Sequence, residues 1–150
     1  MINIESKYDY PSALIERAVQ AALKHHASRE SLDVNLSVVL TDNRRLQKLN
    51  RDYLGIDAPT DVLSFPASES DPETGARYIG DILISVPYAA KGAKQAGNSL
   101  EAELQLLVVH GVLHLLGHDH AKPKEKAKMW KAQREILETL GLGQIQIREE

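Results

Sequence analysis

The chain has 150 residues, no cysteine, 5 % aromatics and a formal net charge of −3. A chain of this length buries roughly 70 % of the surface its unfolded form exposes, which supports one hydrophobic core and not two independent catalytic domains. Without cysteine there is no disulfide framework, thiolate zinc site, iron–sulfur cluster or cysteine nucleophile, so a transition metal must rest on His, Asp or Glu.

Residues 1–9 carry two acids and one lysine with no apolar run, so they do not read as a signal peptide. Residues 12–27, following Pro11, place Leu14, Ala18, Ala21 and Ala22 at helical spacing, with His25 and His26 as surface polar residues at the end. LSVVLT (36–41) reads as a strand. Asp42 or Asn43 then caps a helix over 44–53, with Leu46, Leu49 and Tyr53 on its core side and Arg44, Lys48 and Arg51 on a basic outer face. GIDAP (55–59) is turn chemistry, and TDVLSFP (60–66) reads as a second strand closed by its proline. Residues 67–76 have the composition of an exposed loop, and YIGDILIS (78–85) is a third strand.

Pro87 opens a helix that ends near Gly97. A capping-box pattern over 98–101 precedes the longest helix, 100–116, stopped by Gly117. Its apolar stretch, 104–116, is broken by Gln105, His110, Gly111 and His114, short of the ~20 apolar residues that span a membrane. A charged amphipathic helix over 124–140 offers Met129, Trp130, Ile136, Leu137 and Leu140 for packing and ends at Gly141. The expected fold is α+β, in α/β-type layers: one domain over 1–150 with a small mixed sheet and about five helices. The expected location is the cytoplasm.

Four of the six histidines fall in HGVLHLLGHDH (110–120). His110 and His114, four apart on a helix, project from one face and can share an ion. Gly117 can adopt the left-handed conformation that ends the helix and brings His120 back to the same ion. Three neutral imidazoles with an open fourth position suit a catalytic Zn²⁺, one ion per chain, and imidazole also suits Ni, Cu and Fe. His118, between Gly117 and Asp119, should point away. Asp119 is a turn residue first and a proton acceptor second.

The spacing H-x-x-x-H-x-x-G-x-x-H is also that of metzincin peptidases, in which a Glu follows the first His. Gly111 stands there instead and cannot act as a general base, which removes the peptidase reading.

HGVLHLLGHDH, together with NRDYLGIDAPTDVLSFP (50–66) and GDILIS (80–85) in that order, resembles the YbeY family of bacterial endoribonucleases, also described as ribosomal RNA maturation factors. The resemblance covers most of 36–120 and implies a small mixed sheet with helices around a metal cleft. It implies His110, His114 and His120 as zinc ligands, and hydrolysis of single-stranded RNA in small-subunit 3′-end maturation and ribosome quality control. RNA and the ribosome or its associated proteins would be the partners, with no membrane. One position departs: where the family carries Arg after the aromatic residue, Tyr53 is followed by Leu54. Leu54 reads as a packing residue.

The negative balance argues against RNA held by bulk charge, leaving local basic faces to steer it. Arg44, Lys48 and Arg51 are the candidate RNA contacts, and Lys122, Lys124, Lys126 and Lys128 form a second basic cluster beside the histidine loop. The alternative is a zinc-stabilised, ribosome-associated adaptor with weak or no nuclease activity.

Overall fold

Residues 34–41 alternate between buried and half-buried, and in the computed structural model, which describes residues 2–9, 12–27 and 34–147, they form the centre of a mixed sheet. The elements run β1 (Ile2–Ser6), α1 (Ser12–Ala27), β2 (Val34–Thr41), α2 (Asn43–Leu54), β3 (Val62–Ser70), β4 (Arg77–Ser85), α3 (Val86–Ala96), α4 (Leu100–Leu115) and α5 (Pro123–Thr139). The strand order is β1-β2-β4-β3, with β1–β2 and β2–β4 parallel and β3–β4 antiparallel. The expected α+β architecture is observed: five helices and four strands among the described residues. Pro11, before the first predicted helix, lies outside them.

Strand side chains alternate between two faces. Leu36, Val38 and Leu40 of β2 and Ile82 and Ile84 of β4 join the main core with α1, α4 and α5. Val39 and Leu83 point the other way, into a smaller core with Leu46 and Leu49 of α2 and Leu63 and Phe65 of β3. Thus α2 and α4 lie on opposite faces of the sheet. Leu104, Val108, Val109, Val112 and Leu113 of α4 are fully buried, as expected of a helix that is apolar nearly all round.

Several local expectations shift. β1 has only two apolar residues, Ile2 and Ile4, and owes its existence to pairing along β2, Ile2↔Leu36 through Ser6↔Leu40. Pro66 does not close β3. The strand continues to Ser70 through a register shift between Pro66 and Glu69, which a proline tolerates because β3 is an edge strand. At that point Gly80 has φ +139° and a Cβ there would lie 2.3 Å from the Phe65 carbonyl oxygen, so only glycine lets the strands approach.

The buried stripe of α1 is Ile15, Ala18, Val19, Ala22 and Leu23, with Leu14 and Ala21 half-buried. The cap of α4 is Ser99, whose hydroxyl accepts from the Ala102 amide at 3.1 Å, one residue later than the capping-box pattern begins. On α2, Tyr53 is 70 % exposed, its ring edge to face with that of Phe65 at a centroid distance of 5.6 Å. Leu54 is 56 % exposed and is not a packing residue, because it falls in the last helical turn, beyond the buried positions Leu46 and Asn50.

Candidate metal centre

The most buried helix carries the chemistry. His110 and His114 stand one turn apart near the end of α4, their Nε2 atoms 3.2 Å apart. The helix then ends in two tightened hydrogen bonds, Gly117 N–H to the His114 carbonyl (3.0 Å) and His118 N–H to the Leu113 carbonyl (2.9 Å), with Gly117 at φ +99°. This left-handed turn reverses the chain, and His120 returns to within 5.7 Å of His110 and 5.2 Å of His114, ring centre to ring centre.

One ligand nitrogen from each of His110, His114 and His120 lies within 4.8 Å of the others. Two nitrogens about 2.0–2.1 Å from one tetrahedral ion would be roughly 3.3 Å apart, so the His110–His114 pair already has the required spacing. His118 is outside the group, its ring 6.4 Å from that of His26 on α1. Asp119 accepts a hydrogen bond from the His120 amide at 2.7 Å, the turn role expected of it, and its charge favours protonation of His114.

The cleft beside the group is lined by Asp61, Val62, Glu103, Leu106, Leu107, His110, His120, Trp130, Gln133 and Ile147. Sequence reasoning missed Gln133, which is 1 % exposed and whose Oε1 lies 3.0 Å from His110 Nδ1. Its signal was a polar residue on the apolar stripe of α5, between Met129 and Trp130 on one side and Ile136 and Leu137 on the other. The Trp130 ring stands edge-on to His110 and His120, 5.9 and 5.7 Å away, and its buried indole N–H has no hydrogen-bond partner among the described residues. Lys126 Nζ lies 5.5 Å from the centre of that ring, which places one lysine of the basic cluster on α5 next to a residue that lines the cleft.

Arg44, Lys48 and Arg51 are exposed on α2, across the sheet from α4, and none of them lines the cleft. Arg51 is paired with Asp52 at 3.2 Å.

Burial pushes the His110 pKa down to about 4, and the neighbouring His114 adds repulsion against a second positive charge. Burial also lowers His114, reinforced by His120. Both imidazoles are therefore neutral at pH 7 with a lone pair to offer, the form a metal requires. In the unfolded chain His110 would protonate near 6.5. Between that value and about 4, the unfolded state binds a proton that the folded state refuses, so stability is full above the window and is lost as pH falls through it. The metal-free protein should melt at a lower temperature at pH 5 than at pH 7.5, with a smaller difference in His110→Leu. An equal difference in parent and variant contradicts this assignment.

An α+β layer that gathers three imidazoles, two of which line one open cleft, defines the class: a protein with a three-histidine site of metal-ligand spacing. The family model described as Endoribonuclease YbeY matches residues 1–141. An "Endoribonuclease YbeY" of Roseiflexus sp. (strain RS-1) is 45 % identical over 138 residues, covering 88 % of this chain and 85 % of that protein. One of Brevibacillus brevis is 42 % identical over 141 residues, covering 86 % of each. The solution structure of TM1509 from Thermotoga maritima superposes with a TM-score of 0.61 at 29 % identity, covering 94 % of this chain and 92 % of that one. The chain belongs to the YbeY endoribonuclease family.

Proposed function

We propose that residues 1–150 form one metal-dependent endoribonuclease domain that hydrolyses phosphodiester bonds in single-stranded RNA, with one Zn²⁺ held by His110, His114 and His120. The observation that carries this is the convergence of three ligand nitrogens within 4.8 Å of one another beside an open cleft. The donor set fits the ion: three imidazoles, His110 and His114 kept unprotonated by burial, with no fourth His, Cys, Asp or Glu in the group among the described residues. The family name supports RNA as the substrate. By the same reading the RNA is a ribosomal precursor cut near the small-subunit 3′ end, and the protein works in the cytoplasm with the ribosome or its associated proteins. No helix among the described residues is long and apolar enough to cross a membrane.

Bound there, the ion supplies Lewis acidity, polarising a phosphoryl oxygen. The chain does the rest. His110 and His114 stay unprotonated through burial, Gly117 turns His120 into the group, and Lys126 brings positive charge to the cleft for the phosphate. Hydrolysis adds water across one P–O bond: a new P–O bond forms to the water oxygen, and the departing ribose oxygen takes a proton. Arg44, Lys48 and Arg51 would hold RNA flanking the cut, reached around the sheet edge.

Cleavage of a labelled single strand, and not of the same strand in a duplex, with loss on chelation and recovery with zinc, is the expected result. Metal-independent cutting rejects the metal role. Replacing Arg44, Lys48 and Arg51 by alanine should flatten the salt dependence of RNA binding by about 0.7 per lost phosphate contact. An unchanged slope removes this face from the RNA path.

A second reading, an adaptor with little nuclease activity, is favoured by the exposed trio Tyr53, Leu54 and Ile56, at 70, 56 and 54 %. Because Leu54 is exposed, Leu54→Arg should change stability by no more than about 0.5 kcal/mol. A large gain in RNA cleavage in this variant shows a weakened nuclease. No gain, with weak cleavage in both, supports the adaptor.

A further inference from the structure

Gln133 is a polar side chain on the core stripe of α5, 1 % exposed, and such a group must find a partner or lose the hydrogen bonds it had in water. The partner is His110. We infer that Gln133 is the positioning residue of this centre: its amide oxygen sets the tautomer and ring orientation of His110 and so directs the Nε2 lone pair at the metal position. The inference rests on the three-histidine reading above.

A neutral imidazole has one N–H and one lone pair. Gln133 Oε1 lies 3.0 Å from His110 Nδ1, and an amide oxygen can only accept, so this geometry assigns the proton to Nδ1 and the lone pair to Nε2. That Nε2 is the atom 3.2 Å from His114 Nε2. The other tautomer would set two lone pairs against each other in a buried place, costing about 1–3 kcal/mol. At about 1.4 kcal/mol per tenfold, this selects one tautomer by roughly a factor of ten or more.

Positioning is carried across helices. His110 belongs to α4 and Gln133 to α5, and Trp130, one turn earlier on α5, packs edge-on against both His110 and His120. The docking of α5 therefore braces two of the three imidazoles. An amide also differs from the carboxylate that often stands behind a metal-bound imidazole. It orients the ring without adding negative charge, so three neutral donors leave the charge of the ion undiminished for a phosphoryl oxygen. A carboxylate in its place would make His110 more basic, hold the ion at least as well and polarise the substrate less.

The test compares the parent protein with Gln133→Met, which keeps length and loses the acceptor, and Gln133→Glu, which keeps the acceptor and adds charge. Nitrogen-15 chemical shifts of the His110 ring are read in metal-free protein at pH 7.5, and zinc affinity is read by chelator competition. Parent and Gln133→Glu should show the single Nδ1–H tautomer, and Gln133→Met a mixture. Zinc affinity should fall about 10–100-fold in Gln133→Met and return in Gln133→Glu, while kcat on RNA falls in Gln133→Glu without the loss of metal. A folded Gln133→Met with the parent's tautomer and zinc affinity overturns the proposal. Should that variant not fold, Gln133→Leu carries the same comparison. A parent that binds no zinc refutes the metal reading, and the tautomer measurement then decides the role of Gln133 alone.

Discussion

His114→Ala is expected to strip the protein of stoichiometric metal and to lower RNA cleavage by at least about 100-fold, while leaving the fold intact. The three imidazoles do not contribute equally. His110 is largely buried and tied to Gln133, His120 is exposed on the loop after α4, and His114 is the half-buried member lying 3.2 Å from His110 Nε2. Its removal leaves two donors, one of them on a loop, and a two-ligand site binds weakly. Folding should survive, because the lost ring is only half-buried, and its absence removes a neighbour that repels a proton on His110. Metal content by elemental analysis and cleavage of a single-stranded RNA are the measurements. Stoichiometric metal in the variant overturns the ligand assignment, and undiminished cleavage without metal assigns the activity to something other than this centre.

Gly111→Ala is expected to destabilise the protein by about 1–3 kcal/mol, and Gly111→Glu to prevent folding without creating a peptidase. In an isolated helix the first change would add about 1 kcal/mol of stability, so the sign is decided by packing. A Cβ at residue 111 would lie 2.8 Å from Ile82 Cγ2, with Cδ1 and Cγ1 at 3.1 and 3.2 Å. Ile82 is fully buried on the inner strand β4 and branched at Cβ, so neither its rotamer nor its backbone can give way cheaply. The position at which metzincins carry their general base is thus one where α4 packs directly against the sheet, with no room for a side chain. Urea unfolding of Gly111→Ala measures the effect, and a variant as stable as the parent contradicts it.

Much of the centre was legible because it is local. His110, His114, Gly117 and His120 lie within eleven consecutive residues, and helical periodicity with one left-handed glycine is enough to bring their rings together. What lies behind the rings was not legible. Gln133 is 23 positions from His110, and Asp61, Val62 and Ile147 reach the cleft from β3, its preceding loop and the C-terminal segment. No spacing rule connects such residues, since only the docking of α5 and β3 against α4 makes them neighbours. Leu54 shows the opposite error. It has the side chain of a core residue, and its 56 % exposure follows from where α2 ends, not from its own hydrophobicity.

The sequence by itself determined the five helices and three of the four strands, the absence of any thiolate chemistry and the three imidazoles that form the group, all set by composition and by contacts within one or two helical turns. Only the tertiary structure decided that Ile2–Ser6 is a strand, that β3 passes through its proline, and that the basic face of α2 lies across the sheet from the histidines. It also decided that an amide on another helix lies within hydrogen-bond distance of His110. The physical reason is common to all four: each depends on hydrogen bonds or burial between segments far apart in the chain, and those appear only when the sheet and α4 pack together.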